Sequence, residues 1–306
     1  MTNNFRYVLI VILLLVSINY AICVDLTNES TYQGLVVSAS GHYTINGNVT
    51  LCEDTYTIDD DANTGALIID CADCYLDCNN SIINGTDNTG YGIYNYNDDN
   101  VNISNCQVLN YNCGVYIYKS DNNLLSNNNI TSNDWYGIHI KSSNNNSLIN
   151  NTVNSNGMQG IYTASSIYNI ITNNTCKFNT HHGIEIWGSN FNTLINNTCD
   201  LNGEHGISIY AGNNNSLTNN IATNNDQDGV YIRSDSADNE VINTRSCSNN
   251  QDGGAYHDFR DATSPLANTF TNSTYDTDDP DNYVYFDQRY YCNESEVLWP
   301  YSGCVD

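Results

Sequence analysis

The sequence predicts an all-β chain wound as a single-stranded parallel β-helix, a solenoid with coils of about 23 residues. Gly92, Gly114, Gly137, Gly160, Gly183, Gly206 and Gly229 recur at spacings of 22 and then five times 23. Each opens a short alternating segment: GIYNY, GVYIY, GIHIK, GIYTA, GIEIW, GISIY and GVYIR. Between them lie Asn-rich stretches such as NNSLINNTV and FNTLINNTC. A self-similar period of this length marks a repeat architecture. It is too short for paired helices, and its β-branched, Asn-rich composition disfavours them. Two or three short strands with polar turns fit one solenoid coil.

The elements follow in chain order. Residues 5–23, FRYVLIVILLLVSINYAIC, place an apolar run behind Arg6 with small Ala21 near its end, so residues 1–23 read as a secretory signal peptide. Cleavage after Ala21 or Cys23 fits this pattern. So does retention as a membrane anchor, because the run approaches the roughly 17–25 residues that span a bilayer. Residues 24–62 are expected to form an N-terminal cap with the first strands, since an open β-helix exposes unpaired strand edges. Residues 63–275 carry the repeats. Period-2 alternation there sends Ile138, Ile140, Ile184, Ile186, Ile207 and Ile209 inward. Two further inward columns run through Leu125, Leu148, Ile171, Leu194 and Leu217, and through Ile130, Val153, Cys176 and Cys199. Asn128, Asn151, Asn174, Asn197 and Asn220 recur at 23 and predict a hydrogen-bonded amide ladder at a turn. Residues 276–306 break the period and read as an acidic, Cys-containing C-terminal cap with Cys292–Cys304 as its local staple. Asp276, Asp278, Asp279 and Asp281 in this cap could attract Ca²⁺, but they lack the Gly and distal Glu of an EF-hand loop, and a solvated acidic turn accounts for them.

Charge and cysteines bound the function. With 34 acidic against 8 basic side chains and a net charge of −26, the chain lacks the cations that nucleic acid or an anionic membrane surface requires. Any membrane contact would come from an uncleaved N-terminal segment. Twelve cysteines suit oxidised pairs outside the cell. Cys71 and Cys74 form a CxxC without a second metal clip, which favours a disulfide or buried thiols over zinc. Cys176 and Cys199, on adjacent coils, fit either a disulfide or two packed thiols. Sequons begin at Asn28, Asn48, Asn84, Asn102, Asn150, Asn173, Asn196 and Asn293, as on an exported glycoprotein.

VVSASGHYTINGNVTL (36–51), ALIIDCADCYLDCNNSIING (66–85) and YGIYNYNDDNVNISNCQV (91–108) resemble the opening coils of right-handed parallel β-helix proteins of the pectin-lyase-like superfamily. The similarity extends over about residues 33–274 and is nearest to the NosD-type, carbohydrate-binding and sugar-hydrolysis branch. It implies a right-handed coil with Cys74, Leu76 and Cys78 facing inward. Functionally it implies a range that includes epimerases, lyases, copper-site maturation proteins and surface proteins without known activity. Fragments such as HHG (181–183) and YIR (231–233) resemble polygalacturonase motifs, but the paired-Asp segment and the Asp-Pro-His-Asp signature of alginate epimerases are missing.

The outward positions after each Gly carry the functional reading. One column runs Tyr94, Tyr116, His139, Tyr162, Glu185, Ser208, Tyr231; the next runs Tyr96, Tyr118, Lys141, Ala164, Trp187, Tyr210, Arg233. Flat rings with polar edges suit sugar stacking, so Tyr94, Tyr96, Tyr116, Tyr118, Tyr162, Trp187, Tyr210 and Tyr231 are the candidate carbohydrate-binding residues. Cross-strand stacking that merely stabilises the sheet is the structural alternative. Beside this face, His182, His205 and Asp228 should align on successive coils with His181, Glu204 and Glu185 nearby. Such a cluster could transfer protons through His182, His205, Asp228, Glu185 and Glu204, or hold copper through His181, His182 and His205. A divergent polar turn, with side chains splayed into solvent, is the plain alternative. The sequence therefore predicts a secreted or cell-surface β-helix that binds a glycan, a neutral one more easily than an anionic one at this charge. The alternatives are a polysaccharide lyase, epimerase or hydrolase at the His/Glu/Asp cluster, a structural adhesin-like rod without catalysis, and a copper-related periplasmic protein. No cofactor is required by the pattern.

Overall fold

A computed structural model describes residues 23–27, 35–37, 42–60, 64–233, 235–249, 257–263, 267–275, 289–292 and 304–305. The expected signal segment up to residue 22, and most of the C-terminal cap with its Asp276–Asp281 cluster, lie outside the described residues.

Within the described residues the chain is all-β and coils through three parallel sheets, meeting each once per turn. A typical coil contributes Ile184–Trp187 to the first sheet, Thr193–Ile195 to the second and Thr198–Asp200 to the third. Register confirms the repeat. Ile161 pairs with Ile184, Ile184 with Ile207 and Ile207 with Val230, each in parallel. The coils are longer at both ends of the stack, where Leu67 pairs with Ile93 before the regular repeat and Val230 pairs with Phe259 after it. Leu35–Val37 runs antiparallel to Tyr43–Ile45, a reversed strand at the edge of the first sheet.

Alternation explains the core. Ile138, Ile140, Ile184, Ile186, Ile207 and Ile209 are fully buried, as are the Leu125–Leu217 and Ile130–Cys199 columns. Each inward column stacks one branched side chain on the next at the rung spacing of about 4.8 Å. Gly183 is dictated by this stacking: a Cβ there would stand 2.7 Å from the Gly206 carbonyl oxygen and 2.9 Å from Cys199 Cβ.

The polar corners follow an equally strict rule. In the Asn-Asn-Thr motif at 196–198, Asn196 is exposed with φ of 55°, a left-handed conformation that Asn tolerates, and the buried Asn197 joins the ladder. Asn197 Oδ1 accepts from Asn174 N–H (2.9 Å) and from Asn174 Nδ2 (3.0 Å), repeating the contact one coil on with Asn220 (3.0 Å). The sequons at Asn150 and Asn173 occupy the same exposed left-handed position, one that favours asparagine. Two further ladders occupy the other corners, one through Asn146, Asn169, Asn192 and Asn215, the other through Asn156, Asn179, Asn202 and Asn225. The sequence reading identified only the first.

Disulfides join Cys23 to Cys52, Cys71 to Cys74 and Cys78 to Cys106. The CxxC is therefore a local staple and no metal clip. Because Cys23 is bonded to Cys52, the expected cleavage after Ala21 would preserve this disulfide whereas cleavage after Cys23 would remove it. Cys176 and Cys199 are register partners and remain buried thiols. Cys292 and Cys304 face each other across an antiparallel pair, and their side chains lie outside the described residues. No helix among the described residues is long and apolar enough to cross a membrane.

Candidate functional site

The first sheet presents its outward residues as a ladder of rings. Tyr94 stacks on Tyr116 (5.5 Å between centroids), Tyr116 on His139 (4.7 Å), and His139 packs against Tyr162 (4.9 Å). Beside it Tyr96 stacks on Tyr118 (5.4 Å), and Tyr136, from the edge of the sheet, stacks on Tyr162 (5.1 Å). Parallel register places like positions one rung apart, so these rings lie face to face along the rod. The expected sugar platform is thus largely occupied by its own members: most faces of Tyr94, Tyr116 and Tyr162 meet another ring, leaving edges to solvent. This is the stacking that stabilises an exposed sheet.

The ladder then breaks. Below Tyr162 the column continues with Glu185 and Ser208, both buried, before Tyr231 restores a ring. In the neighbouring column Ala164 interrupts the side chains between Lys141 and Trp187. Trp187 is 41% exposed and stacks on Tyr210 at 3.9 Å, and the Arg233 guanidinium lies 3.9 Å over the other face of this pair's tyrosine. Four of the eight basic residues, Lys119, Lys141, Arg233 and Arg260, sit against tyrosines of this sheet. They make this face less acidic than the chain as a whole.

Beside the break the turn buries its polar residues instead of splaying them. His182, Glu185, His205 and Asp228 are all at most 9% exposed. The imidazoles of His182 and His205 stack at 5.0 Å and 18°. His182 Nδ1 accepts the His205 main-chain N–H (3.3 Å), and His205 Nδ1 accepts that of Asp228 (3.1 Å). With Nδ1 accepting, the proton of each neutral ring belongs on Nε2. His182 Nε2 lies 3.9 Å from Glu185 Oε1, and Glu204 Oε2 lies 3.3 Å from His182 Nδ1. Asp228 approaches His205 Nδ1 at 3.3 Å and Arg260 Nη1 at 4.0 Å, and accepts the main-chain N–H of His257 (2.6 Å). Tyr231 packs against His205 at 4.6 Å.

Burial sets the charges. It pushes the Glu185 carboxyl up to about 7, with Glu204 adding to the rise and the Gln159 hydrogen bond opposing it. It lowers His182 to about 3, helped by His181, and drives His205 well below its ordinary value, helped by His182 and Arg260. Near neutral pH the site therefore combines neutral imidazoles with a carboxyl near its midpoint, a combination suited to proton transfer.

The structure brings His182, His205, Asp228, Glu185 and Glu204 together, but not His181, whose ring lies 6.4 Å from His182 at 62° and is partly exposed. The cluster does not offer copper a convergent set of imidazole nitrogens. Stacked rings whose Nδ1 atoms both face main-chain N–H groups do not converge on one point, and among the described residues no three His, Cys, Asp or Glu side chains are placed to hold a metal ion. Sequence reasoning missed Gln159, which donates through Nε2 to Glu185 Oε2 and whose buried Oε1 has no partner among the described residues. Its place before Gly160 was the available signal. It also missed His257 and Arg260, which lie on the coil where the period lengthens and so escape a search at 23.

Residues 33–166, 91–246 and 136–280 match the family described as the right handed beta helix region. The chain belongs to the right-handed β-helix family. Among solved structures, the A-module of mannuronan C-5 epimerase AlgE4 from Azotobacter vinelandii superposes with a TM-score of 0.59 at 15% identity, covering 78% of this chain and 76% of that one. The periplasmic alginate epimerase AlgG gives 0.55 at 16%, covering 82% and 83%. Pectate lyase Pel9A gives 0.59 at 17%, covering 76% and 68%. At these identities the likeness establishes the fold alone, a right-handed parallel β-helix. No curated protein matches the chain.

Proposed function

We propose that this β-helix is an extracellular protein that binds a polysaccharide on the outer face of its first sheet, at the break in the ring ladder. One observation carries the reading. Between Tyr162 and Tyr231 the self-stacked rings give way to buried Glu185 and Ser208, beside the exposed, one-sided stack of Trp187 on Tyr210. Elsewhere on the face the rings satisfy one another; here an apolar platform adjoins the polar side chains of Glu185 and Ser208. That combination of a flat apolar surface and a few fixed polar groups suits a sugar. The solved structures above include proteins named for action on alginate and pectate, which supports a polysaccharide partner. Export is supported by the leader-like N-terminus and by the disulfides of the described residues.

A second reading is favoured by Glu185 specifically. A buried carboxyl near pH 7 can take the proton α to the carboxylate of a uronic-acid unit, breaking that C–H bond, while His182, whose Nε2 lies 3.9 Å from Glu185 Oε1, can deliver a proton to the departing glycosidic oxygen, as an elimination requires. A glycan panel with product analysis on the wild type and Glu185→Gln separates the readings. Binding by both proteins with products from neither supports binding alone. Products from the wild type, lost by roughly 10²-fold or more in the variant, support proton transfer by Glu185. Failure of every glycan to bind contradicts both.

A further inference from the structure

We infer that Ala164 forms the floor of a slot that receives one pyranose unit, held flat against Trp187 with its plane perpendicular to the rod. The inference rests on the glycan-binding reading above and adds where the sugar sits and which way the glycan runs.

The slot arises from a missing side chain. Lys141, Ala164 and Trp187 are consecutive register partners, so Lys141 and Trp187 stand two rungs apart, about 9.6 Å between Cα atoms. Both lean away from the alanine. Lys141 Nζ turns back over the Tyr118 ring, 5.8 Å from its centroid, and Trp187 closes on Tyr210 at 3.9 Å, less than a rung spacing. Ala164, with only a methyl group, keeps 7% of its surface exposed at the base. The missing layer is one flat ring thick. Tyr210 and Arg233 fix Trp187 from behind, so the platform is ordered before a ligand arrives, which reduces the entropy lost on binding. On the strand side of the slot lie Tyr162, on the same coil as Ala164, and Glu185, one coil below it.

Ring orientation then fixes the glycan. Rings on successive coils stack face to face, so their normals run along the rod. A sugar stacked on Trp187 shares that normal, and its glycosidic bonds leave in the plane perpendicular to the rod. The glycan must cross the sheet or project from it. A polymer lying along the rod would present its edges to Trp187 and lose the stacking contact. The slot thus selects a terminal or single internal sugar, and the row of tyrosines is not a track of successive subsites. The net charge of −26 favours a neutral hexose.

Calorimetric titration of neutral gluco-, manno- and galacto-oligosaccharides of one to six units tests the slot on the wild type, Trp187→Ala and Ala164→Phe. Affinity should level off by two units. Trp187→Ala should weaken binding roughly fivefold. Ala164→Phe completes the ladder, leaves the fold intact by circular dichroism and should abolish binding. A track along the rod predicts the opposite sign, with tighter binding by Ala164→Phe and affinity rising to six units; either result overturns the slot while leaving glycan binding in place. Absence of binding by every oligosaccharide overturns both.

Discussion

Replacing Asn197 with Leu is expected to destabilise the coil stack by about 4 kcal/mol, against about 1 kcal/mol for Asn196→Ala next to it. The two amides have opposite environments. Asn196 is exposed and contributes its tolerance of φ near 55°, so its loss costs only a backbone preference. Asn197 is fully buried and makes side-chain bonds to Asn174 N–H, Asn174 Nδ2, Asn220 Oδ1 and the Ile171 carbonyl (2.7 Å). Leu fills the volume but leaves the Asn174 N–H without its acceptor and removes one partner from each of the others. A buried orphan of this kind costs about 1–3 kcal/mol, and the remaining losses add to it. Urea unfolding followed by circular dichroism checks the difference. Equal effects at both positions would show that the ladder contributes no more than the turn.

Stability should also fall by about 3 kcal/mol as pH drops from 7 to 5, an unusually steep acid limb. Burial lowers His182 and His139 to about 3, the latter helped by Lys141, and holds His205 well below its ordinary value. The unfolded chain binds protons below about 6.5 that these native rings refuse, so the stability they contribute is present above that value and is lost on acidification. Glu185 acts in the opposite sense. Its native carboxyl takes a proton near 7 whereas the unfolded one waits until about 4.5, so Glu185 offsets part of the loss between those values. Three histidines outweigh one carboxyl. Denaturant midpoints at pH 5, 6 and 7 measure the net effect, and His205→Gln should flatten it. A midpoint independent of pH over this range would mean that the imidazoles are accessible to protons in the folded protein.

The coils were legible in the sequence because three strong constraints repeat together at 23: a glycine where a Cβ would strike the next coil, inward Ile at alternate positions, and asparagine at the corner. Register follows directly, which is why His182, His205 and Asp228 could be aligned in advance. Their convergence was not legible. Whether a turn splays or buries its side chains depends on how each imidazole turns toward the main-chain N–H one coil on, a choice that periodicity does not encode. The aromatic columns show the same limit from the other side. Tyr94, Tyr116 and Tyr162 were correctly placed outward, but rings one rung apart meet each other before they meet a ligand. The position on which the proposed slot rests is Ala164, the residue least like its column. His257 and Arg260 were hidden for a different reason, because the coil that supplies them is longer than the repeat used to find the others.

The claim that a glycan meets the break in the ladder, and not the ladder itself, is tested most directly by one comparison. Binding of the same oligosaccharide should be measured by calorimetry for Trp187→Ala at the break and for Tyr96→Ala at the intact end, where Tyr96 is equally exposed at 40%. The account predicts a loss of about 1 kcal/mol for Trp187→Ala and no measurable change for Tyr96→Ala. Equal losses at the two positions, or a loss at Tyr96 alone, would contradict it.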